Sequence, residues 1–577
     1  MDLSWSDYDR TALESLFFIG HEPGDPGRPI GYPRTPKKRP HLAYYGTTRS
    51  GKSFGMEYPL DQLIISRAAG FIHIDPHGQS YWRLASLLRE RGITDRTLFW
   101  DLGDPDFVVH YDPFDLPQSA SVIAGNVTSA LLATLGRRGT EATEQPHLKT
   151  ITEEALTALI TLKLNFTLLE ELFDPSETEL KRAVSGATRA PFLATIAQMK
   201  RPGERYQELA APFRRPKNLF ADDRIRLSLS APGVNFRKLM DERWIILVNA
   251  EPREQSDEAA ALFVRLLLKQ LFLAARERIP SDDTPPFFVV LDEAARYLTL
   301  ETARMMNETA KYGVYLAVGM QSPEQARLQD EDTYIALRHN VGGEIVMRLT
   351  DYDEALYFSR RFFAPYFDFK TIKHLQRRIA AIPVSVPHVT ASYAKPLGPV
   401  VTVTDQQGDS DHAALTLNDD GEPSLITGSG NNRSHATAVA QQPDVLTETE
   451  GFHTEYRYVE DETPTFCTPD ELEREGAKLL MLREPGEGQR FGLYRLGERK
   501  PGAIEIPELP PPLYSPEQMR GWLRQVKATQ PATMHRQLAA QKLERVLAQQ
   551  RRRLLAHEPP AVARPQAGPR RAKQYEF

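Results

Sequence analysis

Short apolar runs alternate with amphipathic segments along most of the chain. An apolar run of strand length that ends at a turn or a polar residue is typical of a strand buried in a sheet. Helical patterns lie between most of these runs, for example at 81–90 and after the capping residue Ser256. Strands that alternate with helices predict an α/β fold with a parallel sheet. The predicted strands lie at 42–45, 71–75, 97–102, 243–250, 287–291, 314–320 and 343–349.

The stretch 118–228 has a different pattern. Its apolar residues recur at spacings of three and four positions, as on one face of a helix, and it contains few strand signals. The strand pattern resumes at residue 244. We therefore predict an all-α insertion at 118–228 within an α/β core that is formed by 41–117 and 229–395.

Further segments are distinguished by their composition. Residues 1–40 are polar and rich in Gly and Pro, and we predict a short helix near Asp9–Phe18 followed by an irregular lead-in. Residues 396–450 are rich in Thr, Gln, Asp, Ser, Gly and Asn, which predicts a flexible linker or surface insertion. Residues 451–514 regain strand character and are assigned to the C-terminal part of the core. Residues 515–577 predict a helical tail that ends in a disordered stretch rich in Pro and Arg.

A glycine-rich loop follows the first predicted strand. The sequence GTTRSGKS matches the pattern G-x-x-x-x-G-K-[ST], in which backbone N–H groups cradle phosphate oxygens. Lys52 would place its positive charge on the β- and γ-phosphates, and the Ser53 hydroxyl would bind Mg²⁺. A chance glycine-rich turn is disfavoured, because the loop lies between a predicted strand and a predicted helix. The loop therefore predicts a site for ATP and Mg²⁺, and its members are Gly46, Thr47, Thr48, Arg49, Ser50, Gly51, Lys52 and Ser53.

Two acidic residues stand at the end of the predicted buried strand 287–291. In an open α/β sheet the ligand site lies at the carboxyl ends of the strands. Asp292 would then hold the Mg²⁺ shell, and Glu293 would act as the general base or orient the attacking water. The plainer interpretation is a strand end followed by ordinary helix-start acids. The P-loop earlier in the chain favours the catalytic interpretation.

Two other strand ends carry polar side chains. Gln321 follows the strand at 314–320 and could hydrogen-bond the γ-phosphate, although an ordinary loop glutamine is the alternative. Asp75 ends the strand that follows the P-loop helix, and we place it with the nucleotide-binding residues. His77 follows in the same turn. No second histidine lies at ligand spacing, so a role in the turn or in support of the site residues is favoured over metal binding.

Composition excludes several classes of site. The single cysteine, Cys467, allows neither an intramolecular disulfide nor a cysteine-based zinc site. No apolar run has the length of a membrane span, and the first residues lack the pattern of a signal peptide. We therefore expect a cytoplasmic protein that reaches a membrane only through partners.

Charge is distributed unevenly along the chain. Residues 515–577 contain 13 Lys/Arg and 4 Asp/Glu, a net charge of +9, whereas the rest of the chain carries −15. Such a basic tail could neutralise DNA phosphates with little sequence preference, or it could recruit an acidic partner. A solvated basic helix without a ligand is the alternative. We find no motif that reads a specific DNA sequence.

Taken together, the motifs resemble those of the HerA/FtsK superfamily of DNA-pumping ATPases. They are GTTRSGKS at 46–53, IDPHGQ at 74–79, VVLDEA at 289–294 and YGVYLAVGMQSPEQ at 312–325. Within that superfamily the chain most resembles the type IV secretion coupling proteins, which bring DNA to conjugative channels. The resemblance covers residues 40–390 and, weakly, 465–510. It implies a RecA-like P-loop core with an inserted all-α domain, and hexameric rings with ATP at the subunit interfaces. It also implies Walker B roles for Asp292 and Glu293 and a sensor role for Gln321.

The chain departs from that family in three places. It shows no transmembrane helices, Gln79 stands where many members have an acid, and Ala310-Lys311 stands where Arg-Lys is frequent.

The last of these changes leaves open which arginine a neighbouring subunit would supply to the site. A ring ATPase needs such a cation to stabilise the charge on the transferred phosphoryl group. Arg348 and Arg361 are favoured weakly over Arg338 and Arg360. For any one of them, a surface salt bridge is the more common role.

We therefore predict a DNA translocase or coupling ATPase that recruits or pumps DNA in conjugative or mobile-element transfer. Its expected partners include a relaxase or a secretion channel. One alternative is a HerA-like motor that acts with a partner nuclease in DNA repair or antiviral defence, and another is a nucleotide-regulated scaffold without motor activity. A small-molecule kinase is disfavoured, because the sequence shows no obvious lid or acceptor site.

Overall fold

The computed structural model describes most of the chain between residues 16 and 556. The described residues are 16–35, 39–132, 145–252, 256–363, 372–387, 400–408, 414–417, 423–426, 432–440, 452–466, 468–482, 490–497 and 499–556. The predicted helix start at Asp9 and the last part of the predicted tail, 557–577, lie outside them.

The described strands and helices are numbered in chain order. The strands are β1 (Leu16–Glu22), β2 (Asp25–Pro33), β3 (His41–Tyr45), β4 (Gly70–Asp75), β5 (Thr97–Asp101), β6 (Phe107–Val109), β7 (Ile245–Asn249), β8 (Phe287–Leu291), β9 (Val314–Met320), β10 (Val341–Val346), β11 (Ile372–Pro387), β12 (Val400–Gly408), β13 (Ala414–Leu417), β14 (Pro423–Ile426), β15 (Asn432–Ala440), β16 (Phe452–Phe466), β17 (Phe491–Leu496), β18 (Gly502–Glu505) and β19 (Thr533–His535). The helices are α1 (Lys52–Ser66), α2 (Gln79–Glu90), α3 (Ala120–Leu132), α4 (Gln145–Thr161), α5 (Leu168–Phe173), α6 (Glu179–Ala187), α7 (Pro191–Gln198), α8 (Pro202–Leu219), α9 (Asp223–Ser228), α10 (Phe236–Asp241), α11 (Asp257–Arg276), α12 (Leu300–Glu308), α13 (Pro323–Gln329), α14 (Glu331–Asn340), α15 (Tyr352–Phe363), α16 (Pro469–Leu482), α17 (Pro516–Lys527) and α18 (Arg536–Leu555).

A mostly parallel sheet organises the core. Its strand order is β2-β1-β18-β17-β10-β3-β9-β8-β4-β7-β5, and the part from β10 to β5 is parallel throughout. These parallel strands are the ones that the apolar runs predict. They are apolar along their length because helices cover both faces of a parallel sheet, and β3, β4, β7, β8 and β9 are accordingly buried at every position. The predicted α/β fold is confirmed.

Antiparallel strands extend this sheet beyond β10. Strand β17 pairs with β10, β18 pairs with β17, and β1 joins β18 to the hairpin partner β2. The prediction of a helix that continues to Phe18, followed by an irregular lead-in, is wrong at these residues. Phe18 and Ile19 are buried, and the backbone of Phe18 exchanges hydrogen bonds with the Gln62 side chain on α1. Contacts made by distant parts of the chain thus override the local helical spacing.

The region predicted as an all-α insertion contains only helices among its described elements. They are α3 to α9, and they lie between β6 and α10. Their apolar faces do not form a separate core. Leu169 and Leu193 belong to the same buried cluster as Val248 of β7 and Phe263 of α11. The insertion therefore shares one continuous buried core with the sheet and with α11.

The segment 396–450, expected to be a flexible linker or a surface insertion, contains strands in the parts that the structure describes. Strand β12 pairs with β15 and β13 pairs with β14, while the longer β11 and β16 pair on either side of them in the sequence. The polar composition suggested a linker, yet VVTVT at 400–404 alternates Val and Thr with a period of two. These β-branched residues favour a strand even in a polar context.

The basic tail folds onto the core. Met519 and Leu523 of α17 are buried, and Trp522 packs edge-on against Phe99 of β5. Just beyond α17, the Gln530 side chain donates to the carbonyl of Thr97 and accepts from the N–H of Phe99. These bonds satisfy backbone groups at the outer edge of β5, which no neighbouring strand of the sheet pairs.

Ion pairs and a further strand complete the docking of the tail. The Lys527 Nζ lies 2.5 Å from Asp104 Oδ2, and both side chains are buried. Strand β19 pairs with β6, and Arg551 of α18 makes an ion pair with Glu171 on α5 of the insertion. Part of the positive charge of the tail is therefore neutralised by acidic residues of the core and the insertion. None of the helices among the described residues is long and apolar enough to cross a membrane.

Candidate functional site

The predicted P-loop joins β3 to α1 at the carboxyl edge of the sheet. Gly46 and Gly51 have φ values of 154° and 91°, which glycine adopts without steric cost. A Cβ on Gly46 would lie 2.4 Å from the Ser50 Oγ. The N–H of Thr47 donates to the carbonyl of Arg348 at 3.0 Å, and Gly46 donates to carbonyls at the end of β9. Hydrogen bonds to the neighbouring strand ends thus hold the loop in place. The loop leads directly into the N-terminus of α1.

The predicted metal ligands are in contact. Ser53 Oγ donates to Asp292 Oδ2 at 2.6 Å, although 239 positions separate them in the sequence. Asp292 is buried, and its other oxygen accepts the N–H of Glu293. A hydroxyl and a carboxylate are ligands that suit Mg²⁺, which usually keeps few protein ligands and takes the rest from phosphates and water. Among the described residues no cluster of three or more His, Cys, Asp or Glu could hold a metal by itself, so a metal here would depend on phosphate oxygens.

Glu293 has an unusual backbone conformation. Its φ of 44° lies in the left-handed region, which costs a non-glycine residue about 1 kcal/mol or more. One carboxylate oxygen lies 3.2 Å from His77 Nε2, and the other lies 3.5 Å from Arg296 Nε. The side chain is thereby held between two donors at the edge of the site. His77, predicted to act in the turn or in support of the site residues, contacts the proposed general base Glu293.

Asp75 shapes the turn that follows β4. Its Oδ1 accepts the N–H of His77 and its Oδ2 accepts the N–H of Tyr81, so both oxygens are used within the turn and the start of α2. Asp75 still lines the cavity beside the P-loop. The geometry favours a role in positioning His77 and α2 over direct contact with a ligand.

Two cavities meet at Lys52 and Glu293. One, of about 480 Å³, runs along the whole P-loop and reaches Asp75 and Asp292. The other, of about 720 Å³, lies on the far side of Glu293 and is lined by Gln321 and Arg296. The backbone N–H of Gln321 donates to the side-chain oxygen of Gln325. Gln321 itself lines the second cavity. The structure thus brings together Lys52, Ser53, Asp292, Glu293 and Gln321.

The arginines proposed to act on a neighbouring subunit lie in different settings. Arg361 is largely buried and bonds to Glu344, which Arg495 also contacts, and this argues against a free arginine at that position. Arg348 follows β10 beside the P-loop of its own chain, with a buried Nε that has no acceptor among the described residues.

The other two candidates are more exposed. Arg360 pairs with Glu473 although most of its side chain is exposed. Arg338 on α14 is exposed and lies over the Tyr334 ring. None of the four lines either cavity at the P-loop.

A cluster behind the P-loop helix was not predicted from the sequence. Phe54, which follows Ser53, packs against two guanidinium groups, with Arg83 at 4.0 Å and Arg490 at 3.6 Å from the ring centroid. Arg83 Nη1 lies 2.6 Å from Oε2 of the buried Glu57. Arg83 and Arg490 both line the cavity at the P-loop. No local motif marks them, because one reaches the site from α2 and the other from the residue before β17.

The buried Glu57 should give the folded state a pH dependence. Burial and, to a smaller extent, the nearby Asp75 raise the pKa of Glu57 from 4.5 to about 7, although Arg83 and the Ser80 hydroxyl oppose the rise. The folded state therefore binds a proton that the unfolded state has released. The protonated Glu57 therefore contributes on the order of 3 kcal/mol to the free energy of unfolding. This contribution is fully present below about pH 4.5 and is lost as the pH rises through about 7.

Glu57→Gln should abolish this contribution. We expect the thermal midpoint of the wild-type protein to fall relative to that of Glu57→Gln as the pH rises from about 5 to about 8. Glu331→Gln, at an exposed position on α14, is the matched control and should follow the wild type. Parallel pH curves for wild type and Glu57→Gln would show that the buried carboxyl does not titrate in this range.

Among the comparisons with known proteins, only the one with solved structures found similar chains. No protein-family model matches the sequence, and no curated protein matches it either. Among solved structures, the chain is similar to the bacterial conjugative coupling protein TrwB in its unbound form, with a TM-score of 0.50 and 12% sequence identity over 88% of this chain and 94% of that one. TrwB in complex with ADP and Mg²⁺ aligns with a TM-score of 0.51 and 11% identity over 85% of this chain and 90% of that one.

A third structure supports the same conclusion. TrwB in complex with the non-hydrolysable ATP analogue ADPNP aligns with a TM-score of 0.50 and 9% identity, over 83% of this chain and 88% of that one. At sequence identities this low, the structural alignments establish a shared fold alone. The chain therefore has the RecA-like P-loop ATPase fold of the conjugative coupling protein TrwB.

Proposed function

We propose that this protein binds ATP with Mg²⁺ at the P-loop and uses its hydrolysis to move DNA. The observation that carries the proposal is the contact of Ser53 with Asp292 beside Lys52, with Glu293 next to it. A hydroxyl, a lysine and two acids at the carboxyl edge of one sheet form the set that phosphoryl transfer to water requires. TrwB, which shares the fold, has been solved with ADP and Mg²⁺.

Each residue of the set has a separate task. Lys52 neutralises charge on the β- and γ-phosphates, and its 6% exposure shields that interaction from water. Ser53 and Asp292 would hold Mg²⁺, which would supply positive charge against the negative charge that develops on the transferred phosphoryl group. Glu293 orients the attacking water and accepts its proton. For this task one oxygen of its carboxylate must leave its contact with His77 or Arg296. Gln321 bonds the γ-phosphate from the second cavity.

The second cavity supports an assembly of subunits. It opens on the γ-phosphate side of the site. Arg296 of the same chain lines it but pairs with Glu293, and none of the four candidate arginines lines it. We infer that a neighbouring subunit covers it and supplies the cation there, in a homo-oligomeric ring that is hexameric by resemblance to the coupling proteins. Of the candidates, the exposed Arg338 and the partly buried Arg348, whose Nε has no acceptor among the described residues, fit better than Arg361, whose guanidinium is bound to Glu344.

DNA is the proposed polymer, and conjugative or mobile-element transfer is the proposed setting. The support is the fold shared with a conjugative coupling protein, together with the resemblance of the motifs. Partners in this setting would include a relaxase or a secretion channel. The structure offers no base-reading motif among the described residues, so binding is expected through phosphates and with little sequence preference.

The coupling of hydrolysis to DNA gives a direct test. We expect single- or double-stranded DNA to raise steady-state ATP hydrolysis by about tenfold, because coupling free energies between two sites typically correspond to changes of that size. The stimulation should weaken as salt is raised, because phosphate contacts release counterions. Hydrolysis that is fast and indifferent to both forms of DNA would favour a nucleotide-regulated scaffold over a motor.

A further inference from the structure

Arg490 reaches the P-loop from a distant part of the chain. It lies just before β17, which joins the sheet through β10, and its side chain is 13% exposed. Its Cδ and Cγ pack so closely on Gly51 that an added Cβ there would lie 3.0 and 3.2 Å from them. Its guanidinium carbon is 3.6 Å from the centroid of the Phe54 ring. The fold thus presses this cation against the last glycine of the loop and the first turn of α1.

The guanidinium is only partly satisfied. Nη2 donates to Glu508 Oε1 at 2.8 Å, and half of the Glu508 side chain is exposed. Arg490 is also the main cause of the lowered pKa of Glu508. Nη1 is buried and has no acceptor among the described residues. A buried donor without an acceptor is unfavourable, so an acceptor brought by a ligand would stabilise the complex.

The position of Arg490 relative to the two cavities indicates which part of a nucleotide it would meet. Arg490 and Phe54 line the cavity along the P-loop but not the cavity that holds Gln321. The γ-phosphate end of the site is marked by Glu293 and Gln321. Arg490 therefore lies towards the other end, beside the residue that follows Ser53. In a P-loop the backbone there cradles the α- and β-phosphates.

We propose that Arg490 binds the α-phosphate of the nucleotide, with the Phe54 ring as the surface that orients its guanidinium. This inference rests on the proposed nucleotide site and adds a binding residue to it. A planar guanidinium stacked on an aromatic ring keeps its N–H groups free for in-plane hydrogen bonds, which a lysine in the same place cannot reproduce. The contact is present in ADP and ATP alike, so it contributes to binding and not to the hydrolytic step.

The test compares the affinities of the full chain for ADP and for ATP, each with Mg²⁺, by titration calorimetry. Arg490→Ala should weaken both nucleotides by about tenfold, as expected for the loss of a hydrogen bond between charged groups. The ratio of the two affinities should stay constant. Arg490→Lys should recover only part of the affinity. Glu508→Gln, which removes the ion pair and leaves Arg490 in place, is the matched control and should bind as the wild type does.

The other outcomes overturn the inference in distinguishable ways. Loss of ATP affinity alone would place Arg490 at the γ-phosphate. Equal losses in Arg490→Ala and Glu508→Gln, with equally lowered thermal midpoints, would mean that the ion pair only supports the fold. Unchanged affinity in Arg490→Ala, with wild-type binding intact, overturns this inference and leaves the proposed function standing. A wild-type protein that binds neither nucleotide overturns the proposed function and the inference together.

Discussion

Lys52→Ala should reduce ATP turnover by about a thousandfold or more, because removal of a single preorganised charge from a phosphoryl-transfer site has effects of this order. Lys52 is the first residue of α1, is 6% exposed, and lies where the two cavities meet. In this shielded position its charge acts on the β- and γ-phosphates more strongly than it would in water. The measurement is steady-state phosphate release with saturating Mg²⁺.

Lys238→Ala provides the control for this prediction. Lys238 is an exposed residue of α10 whose nearest acidic partner, Glu242, is 3.9 Å away. Its removal changes the net charge by the same amount and should leave turnover unchanged. If Lys52→Ala kept more than about a tenth of wild-type turnover, the P-loop would not be the hydrolytic site.

Glu293→Gln should block hydrolysis while ATP still binds. The substitution preserves the size of the side chain and keeps one of the two oxygens that face His77 and Arg296, but it removes the negative charge and the basic oxygen that accepts a proton from water. The bond from its backbone N–H to Asp292 is unaffected, so the metal ligand keeps its orientation. We expect turnover to fall by about a hundredfold or more, with the Kd for ATP unchanged within about threefold.

The measurement for this variant pairs single-turnover hydrolysis with equilibrium binding of ATP. Glu324→Gln, an exposed acid on α13 that pairs with Arg327, removes a similar charge near the second cavity and should behave as the wild type. Full turnover in Glu293→Gln would reject its role as the base. A parallel loss of binding would instead assign Glu293 to the nucleotide-binding residues.

The central site could be predicted from the sequence because its parts are encoded locally. The P-loop is a contiguous motif, and Asp292 follows an apolar run that can only be a buried strand. The contact between Ser53 and Asp292 then follows from topology, since the carboxyl ends of parallel strands meet at one edge of the sheet. Gln321 was found by the same reasoning. Its placement beside Lys52 on the cavity wall agrees with the predicted position at the strand end.

Arg490 could not be predicted in this way. Its position depends on the antiparallel pairing of β17 with β10, and β17 is separated from β10 by about a hundred and fifty residues of intervening chain. The same difficulty affected Phe18, whose strand pairs with β18 and whose backbone bonds to Gln62. The local spacing of apolar residues cannot show such partners, because the sequence of one segment does not determine which distant strand will pair with it.

Composition gave an incomplete picture of two further segments. The polar stretch 396–450 suggested a linker or a surface insertion, and the alternation of Val and Thr marks one of the strands that its described parts contain. The basic charge of the tail suggested a ligand, an acidic partner or a solvated helix, which stays a prediction. Lys527 is an exception, because it pairs with the buried Asp104, where leaving one partner unpaired would be costly. Net charge alone could not distinguish cations that face solvent from cations that hold the tail in place.

Directed movement along DNA tests the central claim most directly. A short third strand is bound to a long duplex, and its release is followed as the protein consumes ATP. The wild-type protein should displace the third strand only with ATP and Mg²⁺, and Glu293→Gln should bind ATP without displacing it. DNA-stimulated hydrolysis by the wild-type protein without any displacement would contradict the claim that hydrolysis moves DNA.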